Sequence, residues 1–308
     1  MPFDGGCWHT LDPATLLITS HWTNLSGDGF PMIVENEYRH DDVASFAELA
    51  TRQLPASALT PHDAPGSARF VAYQGRGWRS ELRSTFVVDG EAWGAVMLLR
   101  ASDVRPFTAD EARFVAALGR RLAQAIRAAI LVEEHATPSR HDVGLVVLDE
   151  RNRIETLGGV LDEPAALGPA LLSVAEFARA KRGTAQVRTP GPDGRWLVLH
   201  GALLGDDSSR VAVVVEPARS AELAPLYASA FGLTRRERDV LGEVLRGRST
   251  TEIADRLSVT PYTIQDHLKS IFSKTDTATR SELVARLFFD HFEPRLGAPL
   301  RSDGTFAS

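Results

Sequence analysis

The 308-residue sequence predicts a multidomain chain, with two α+β domains followed by an all-α domain of four short helices. Three observations carry that prediction. The length accommodates two or three domains at about 100 to 200 residues each. Residues 1–135 and 140–217 each alternate short β-branched and aromatic runs with turn signals and a helical stretch, the pattern of layered sheet and helix. Residues 232–290 hold four successive helix starts.

Composition sets the outer bounds. Hydrophobic residues make up 44% of the chain, which is ordinary for a globular protein. No apolar run reaches the roughly 18 residues of a membrane span, so none is expected. Met1-Pro2-Phe3-Asp4 lacks the basic start and apolar core of a secretory signal, and the expected location is the cytoplasm. The single cysteine, Cys7, excludes an intrachain disulfide framework and a thiolate metal cluster. The net charge of −6 sits awkwardly with a nucleic-acid partner, for which a basic domain is the usual expectation. Residues 232–290 carry ten Lys or Arg against nine Asp or Glu. Binding of a polyanion would therefore rest on where the cations sit, and would be strongly salt-dependent.

In the first domain, Cys7-Trp8-His9-Thr10 and Leu16-Leu17-Ile18-Thr19 read as strands separated by the turn signal Asp12-Pro13. Asp41 to Leu54 reads as helical, with Val43, Phe46, Ala47, Leu49 and Ala50 on the apolar side. Arg69 to Tyr73 reads as a strand. Glu81–Val88 and Ala92–Leu99 form a hairpin around Asp89-Gly90. Thr108, with Glu111 three residues on, opens a helix of about 25 residues ending near Glu134. Along it Leu118, Ala125 and Val132 are seven apart, as are Leu122 and Ala129. That spacing suits either a parallel dimer seam or a face resting on its own sheet. The hairpin followed by Pro106-Phe107-Thr108-x-x-Glu111 and a long helix resembles the second half of a GAF domain. The first half matches less well. The usual leading helix is not apparent, so either the domain is truncated or its start lies upstream.

Thr137-Pro138-Ser139 reads as a linker. In residues 140–217, two strands (Val143–Asp149 and Arg153–Leu157), a helix (Pro169–Arg182) and three strands (Ala185–Arg188, Arg195–His200 and Arg210–Val215) follow in order. This order resembles a compact PAS-like domain, by pattern alone. Residues 218–231 read as a linker, in which Pro225 argues for a kink or a late helix start. Gly232 supplies a helix stop. Residues 291–308, rich in Pro, Gly and Ser, read as a disordered tail.

The all-α segment is the most informative. Thr234 with Glu237, Ser249 with Glu252, and Thr279 with Glu282 are capping boxes, in which a hydroxyl and a carboxylate satisfy free amides reciprocally. The remaining start is Thr260-Pro261, a cap followed by a proline where the helix needs no amide. Only Ser258, Val259 and Thr260 separate the second and third helices, the length of a helix-turn-helix turn. On the third helix Ile264, Leu268, Ile271 and Phe272 share one face, and Tyr262, Gln265, Asp266 and Lys269 share the opposite one.

Leu233-Thr234-x-x-Glu237, Glu252-Ile253-Ala254, Thr263 to Lys269, Lys274 and Arg280 resemble the DNA-binding domain of the LuxR/FixJ class of bacterial transcription factors. The resemblance implies that the third helix lies in the major groove of double-stranded DNA. By chemistry, Gln265 would pair with adenine, Lys269 would reach guanine or phosphate, Asp266 would accept from cytosine, and Tyr262 would meet a thymine methyl or a phosphate. Family members often have Lys where Gln265 stands, which implies a different preferred base. Arg248, Thr260, Thr263, Lys274 and Arg280 are the expected phosphate contacts. Asp276 replaces the Gly usual before the last helix and is expected to be left-handed. The last helix, with Leu283, Val284, Leu287 and Phe288, is a dimer contact in the resembled family, which implies a homodimer on a palindromic operator.

Chemistry elsewhere is sparse. No phosphate loop, nucleophile elbow or zinc-protease helix occurs, so an enzyme is not expected. Cys7, His9, His21, Asp41, Asp42 and Asp149 lack the spacing of redox, metal or phosphoacceptor sites, and no cofactor or metal is expected. GAF and PAS folds imply a small-molecule ligand, and Trp8, His21, Trp22, Phe70, Tyr73, Trp78 and Trp93 are the aromatic candidates to line its pocket. The expected function is a sequence-specific transcriptional regulator controlled by a small-molecule or protein signal sensed in the GAF-like and PAS-like domains. The rival readings are a GAF-based enzyme and a protein-interaction module.

Overall fold

The computed structural model describes residues 1–25, 29–39, 42–101, 103–132, 143–158, 166–205 and 209–288. The chain divides into a sheet unit (residues 1–129 with 140–217) and a helical unit (residues 130–139 with 218–308).

The sheet unit contains two five-stranded antiparallel sheets. The first is built from β1 (Gly5–Leu11), β2 (Ile18–Thr23), β3 (Ala56–Leu59), β4 (Trp78–Val88) and β5 (Glu91–Ala101), in the order β2-β1-β5-β4-β3. The second is built from β6 (Gly144–Leu148), β7 (Ile154–Gly158), β8 (Thr184–Pro190), β9 (Trp196–Leu203) and β10 (Val211–Pro217), in the order β7-β6-β10-β9-β8. Counted within each sheet, the two orders are the same. The expected hairpin joins β4 to β5, with Asp89 and Gly90 both at positive φ (53° and 81°), the turn whose twist matches paired strands.

The helices of this unit are α1 (Gly29–Arg39), α2 (Phe46–Thr51), α3 (Ala68–Gln74), α4 (Ala109–Val132) and α5 (Gly168–Lys181). Helices α2 and α3 cover one face of β4. On the opposite face, a Cβ at Gly119 of α4 would meet the Phe86 ring at 3.0 Å, and one at Gly94 would meet Ile126 at 2.8 Å. Helix α5 packs on β8, β9 and β10 of the second sheet and also touches α1 and β2.

Three local expectations are corrected. Arg69–Tyr73 is not a strand but the body of α3, capped by Ser67, which accepts from the Phe70 amide. Phe70 and Tyr73 are both buried, and at a spacing of three they share a helical face. The helix expected over 41–54 is confined to α2, because Ala44 turns left-handed (φ 55°) and Ser45 begins the helix as its cap. Leu16 is also left-handed (φ 59°), so β2 starts only at Ile18.

The helical unit comprises α6 (Ser220–Ala230), α7 (Arg235–Leu245), α8 (Thr250–Leu257), α9 (Pro261–Thr275) and α10 (Arg280–Phe288). Residues 218–231 are therefore mainly helix, and α6 begins ahead of Pro225 and continues through it. Burial of Leu223, Leu226, Tyr227 and Ala228 outweighs the one backbone bond that proline forfeits. The ends of α6, α7, α8 and α9 repeat one device. Gly232, Gly247, Ser258 and Asp276 are left-handed, and the next amide in each case bonds back to a carbonyl five residues earlier (Ala228, Glu243, Ala254 and Phe272). Asp276 thus adopts the conformation expected of it, φ 51°. No described helix is long and apolar enough to cross a membrane. The tail expected over 291–308 lies outside the described residues.

Candidate nucleic-acid interface

Helices α8 and α9 are joined by Ser258, Val259 and Thr260. The caps anticipated at their starts are formed. Ser249 and Glu252 exchange bonds as a capping box, and the Thr260 hydroxyl accepts from the Thr263 amide at 3.1 Å. The same device starts α7 through Thr234 and Glu237, and α10 through Thr279 and Glu282. Helix α9 buries Ile264, Leu268 and Ile271 against α7 and α8. This inward anchoring leaves Tyr262, Gln265, Asp266 and Lys269 exposed on the outward face. Tyr262 is 69% exposed, and Lys269 and Asp266 lie 3.5 Å apart across one turn. A rigid helix so presents a phenol, an amide, a carboxylate and an ammonium within about two turns, the donor and acceptor mixture that base edges can pair with.

Of the expected phosphate contacts, Thr260 is exposed and Thr263 half-buried, with their hydroxyls 2.9 Å apart. Arg248 pairs with Glu243, and Arg280 donates to the Arg248 carbonyl. Lys274 is tied to α7. Its ammonium lies 2.7 Å from Glu237 Oε2, while Ser270 donates to Oε1 of the same carboxylate at 2.6 Å. Burial pushes the Glu237 carboxyl up, but Lys274, Ser270 and Thr234 outweigh burial and hold it at about 2. Lys274 therefore ties α9 to α7 while the residue as a whole stays exposed. Leu283 is a correction. It is fully buried within its own chain, so it offers no surface to a partner, and Val284 is half-buried. The side chains of Leu287 and Phe288 lie outside the described residues.

Sequence reasoning missed the charge cluster inside the first sheet. Glu81 and Arg83, one step apart on the same face of β4, are buried, as are Arg69 and Glu37. Arg83 pairs with Glu37 and Glu81, Arg69 lies 3.2 Å from Glu81 and 3.4 Å from Asp42, and Tyr73 donates to Glu81 at 3.0 Å. The Arg83 guanidinium also lies over the Phe46 ring at 4.0 Å. Fully buried His9 is held neutral, its pKa lowered to about 3 by desolvation first and then by Arg83 and His21. None of the seven aromatic candidates lines the cleft beside α1 and α5. Trp22 is 62% exposed, whereas Phe70, Tyr73 and Trp93 are core. That cleft, of about 460 Å³, is lined instead by Leu16, Glu37, Tyr38, Arg39, Asp42 and Phe177, among others.

Comparison with known proteins bears on the helical unit. Residues 232–287 match the GerE family, described as bacterial regulatory proteins of the luxR family. The "Monoamine regulon transcriptional regulator" of Klebsiella aerogenes is 43% identical over 54 residues, covering 18% of this chain and 24% of that protein. The "Transcriptional regulatory protein MctR" of Rhizobium johnstonii is 42% identical over 59 residues, covering 19% and 27%. The chain thus spans about a quarter of the length of these relatives. A crystal structure of Escherichia coli SdiA aligns over 94% of this chain and 86% of that one at 12% identity, with a TM-score of only 0.31, too low to establish a shared overall fold. Residues 232–287 form a LuxR-family helix-turn-helix domain.

Proposed function

We propose that this chain is a sequence-specific, DNA-binding transcriptional regulator whose LuxR-type domain lays α9 in the major groove. The observation that carries the proposal is the outward face of α9, where Tyr262, Gln265, Asp266 and Lys269 stand exposed while the opposite face is anchored. Gln265 reads adenine and Lys269 reads guanine or a phosphate, with Asp266 and Tyr262 on neighbouring bases. Arg248, Thr260, Thr263 and Arg280 position the domain on phosphates. That both of these relatives are transcriptional regulators supports the same role.

The sheet unit is assigned to sensing, with a GAF-like first domain and a PAS-like second one, and a small molecule shifts the balance between arrangements of the DNA-binding domains. The regulator works in the cytoplasm as a homodimer on a palindromic operator, its half-sites about one helical turn apart. A row of exposed apolar residues on α4 supports the dimer, since Phe114, Leu118 and Leu122 are 56%, 41% and 41% exposed at a spacing of four. Selection from a random duplex library at low salt tests the reading. A recovered palindromic consensus is expected. Gln265→Ala with Lys269→Ala should abolish selectivity and leave the melting of the domain unchanged. Failure of the wild-type chain to enrich any sequence would sink the proposal.

A further inference from the structure

Between α7 and α8, Arg246, Arg248 and Arg256 gather around Glu243, with Arg256 reaching in from the last turn of α8. Arg246 Nη1 lies 3.0 Å from Glu243 Oε1, Arg256 Nε lies 3.1 Å from Glu243 Oε2, and Arg248 pairs with that same Oε2. Arg280, at the start of α10, donates to the Arg248 carbonyl. Glu252, close enough to feel the charges of Arg248 and Arg280, is already committed to capping through Ser249. Glu243 lies beneath its partners, with its side chain 12% exposed, whereas Arg246 and Arg256 remain 62% and 57% exposed.

The chemistry of the corner is unbalanced. A carboxylate has two acceptor oxygens, whereas each guanidinium brings five N–H donors in a planar fork. Glu243 therefore engages one edge of Arg246 and of Arg256 and leaves their outer donors to solvent. The corner lies immediately before the cap of α8, the first helix of the helix-turn-helix, which in this motif crosses the DNA backbone while the second helix enters the groove. A phosphodiester offers the same pair of anionic oxygens that Glu243 offers, and arginine suits both.

We propose that Glu243 is an internal substitute for a DNA backbone phosphate. In the free chain it holds Arg246, Arg248 and Arg256 together, and on the duplex it yields them to a phosphate. The inference rests on the DNA-binding reading of this domain, and adds Arg246 and Arg256 to the contacts and Glu243 as their competitor. In a domain with nearly equal numbers of positive and negative residues, this one carboxylate keeps sequence-independent affinity low, so that binding away from an operator is weak.

The test is fluorescence anisotropy of the full chain with a labelled random-sequence duplex, titrated with salt. Glu243→Gln keeps the shape and removes the competing charge. It should tighten binding by about twofold to fivefold, the worth of one exposed ion pair, and steepen the salt dependence by about one unit of slope. Arg256→Ala should weaken binding equally on every sequence and lower the slope by about one. A folded Glu243→Gln chain that binds equally or more weakly overturns the proposal, because Glu243 would then order the arginines instead of competing for them. If that variant does not fold, Arg246→Gln with Arg256→Gln decides. Unchanged affinity overturns the proposal, and a uniform loss with a shallower slope supports it. A wild-type chain that captures no duplex at any salt overturns the DNA-binding reading and this inference with it.

Discussion

On its inner face β4, the fourth strand of the first sheet, carries Glu81, Arg83 and Thr85, whereas β9, the fourth strand of the second, turns Leu197, Leu199, Gly201 and Leu203 inward. The strand order is the same, but around β4 the first sheet adds a buried charge cluster to its hydrophobic core. The second sheet is closed by one helix, with Val174 of α5 seated against Gly201. The first needs α1, α2 and α3 to supply partners for its charges, and even so His9 Nε2 and Arg83 Nε have none among the described residues. One topology thus supports two kinds of interior. An apolar one gains stability from packing alone, and a charged one is stable only while every partner is present.

The largest expected effect breaks the charged interior. Arg83→Ala leaves Glu37 buried without its cation and Glu81 with Arg69 alone, and should cost about 3–5 kcal/mol, read as lost amide-exchange protection in β4 with β9 less affected. Gly201→Ala tests the other interior. Its methyl would collide with Val174 Cγ1, a cost of about 1–3 kcal/mol, and Val174→Ala in the same chain should recover part of it through the coupling of touching residues. If both substitutions are neutral, the contrast between the sheets is only apparent.

Acid should separate the sheets further. The folded-state pKa of His9, about 3, lies below the ordinary 6.5, so the folded chain resists its protonation. The stability this represents is complete above pH 6.5 and is lost as pH falls toward 3, amounting to about 1 kcal/mol between pH 8 and pH 5.5. In His9→Gln the stability of the first sheet should become flatter across that window. A dependence that persists would place its source elsewhere. The smallest effect is expected at Trp22, which lies on a first-sheet strand but is 62% exposed. Trp22→Ser should change stability by no more than about 0.5 kcal/mol, against the large cost at Arg83.

Features whose causes lie within a few residues of one another were legible in the sequence. The capping boxes at Thr234, Ser249 and Thr279, the Asp89-Gly90 hairpin, and the two faces of α9 are all set by spacings of one to four residues. Helix α3 was misread because Phe70-Val71-Ala72-Tyr73 also suits a strand, although Ser67 three residues before Phe70 was an available cap signal. Helix α6 was discounted on Pro225, a local cost that burial overrides. The charge cluster was not legible, because Arg83 meets Glu37 from 46 positions away and nothing local distinguishes either from a surface residue. In the candidate site the outward face of α9 was legible, but the engagement of Lys274 by Glu237, 37 positions away, was not.

The seam between the two sheets has a practical consequence. Leu17, between β1 and β2, belongs to the hydrophobic core of the second sheet, and Leu172 of α5 packs against that of the first. Buried Arg188 on β8 clasps Asp12 at 2.5 and 2.9 Å, and Arg39 on α1 pairs with buried Glu176 on α5. Cutting the chain between residues 135 and 140 would not release two soluble halves. Each fragment would carry a raw wall, one with Asp12 bereft of the Arg188 guanidinium and the other with Arg188 and Glu176 each losing a partner. For expression, crystallisation or swapping into chimaeras, the smallest piece that can be moved intact is the pair of sheets together.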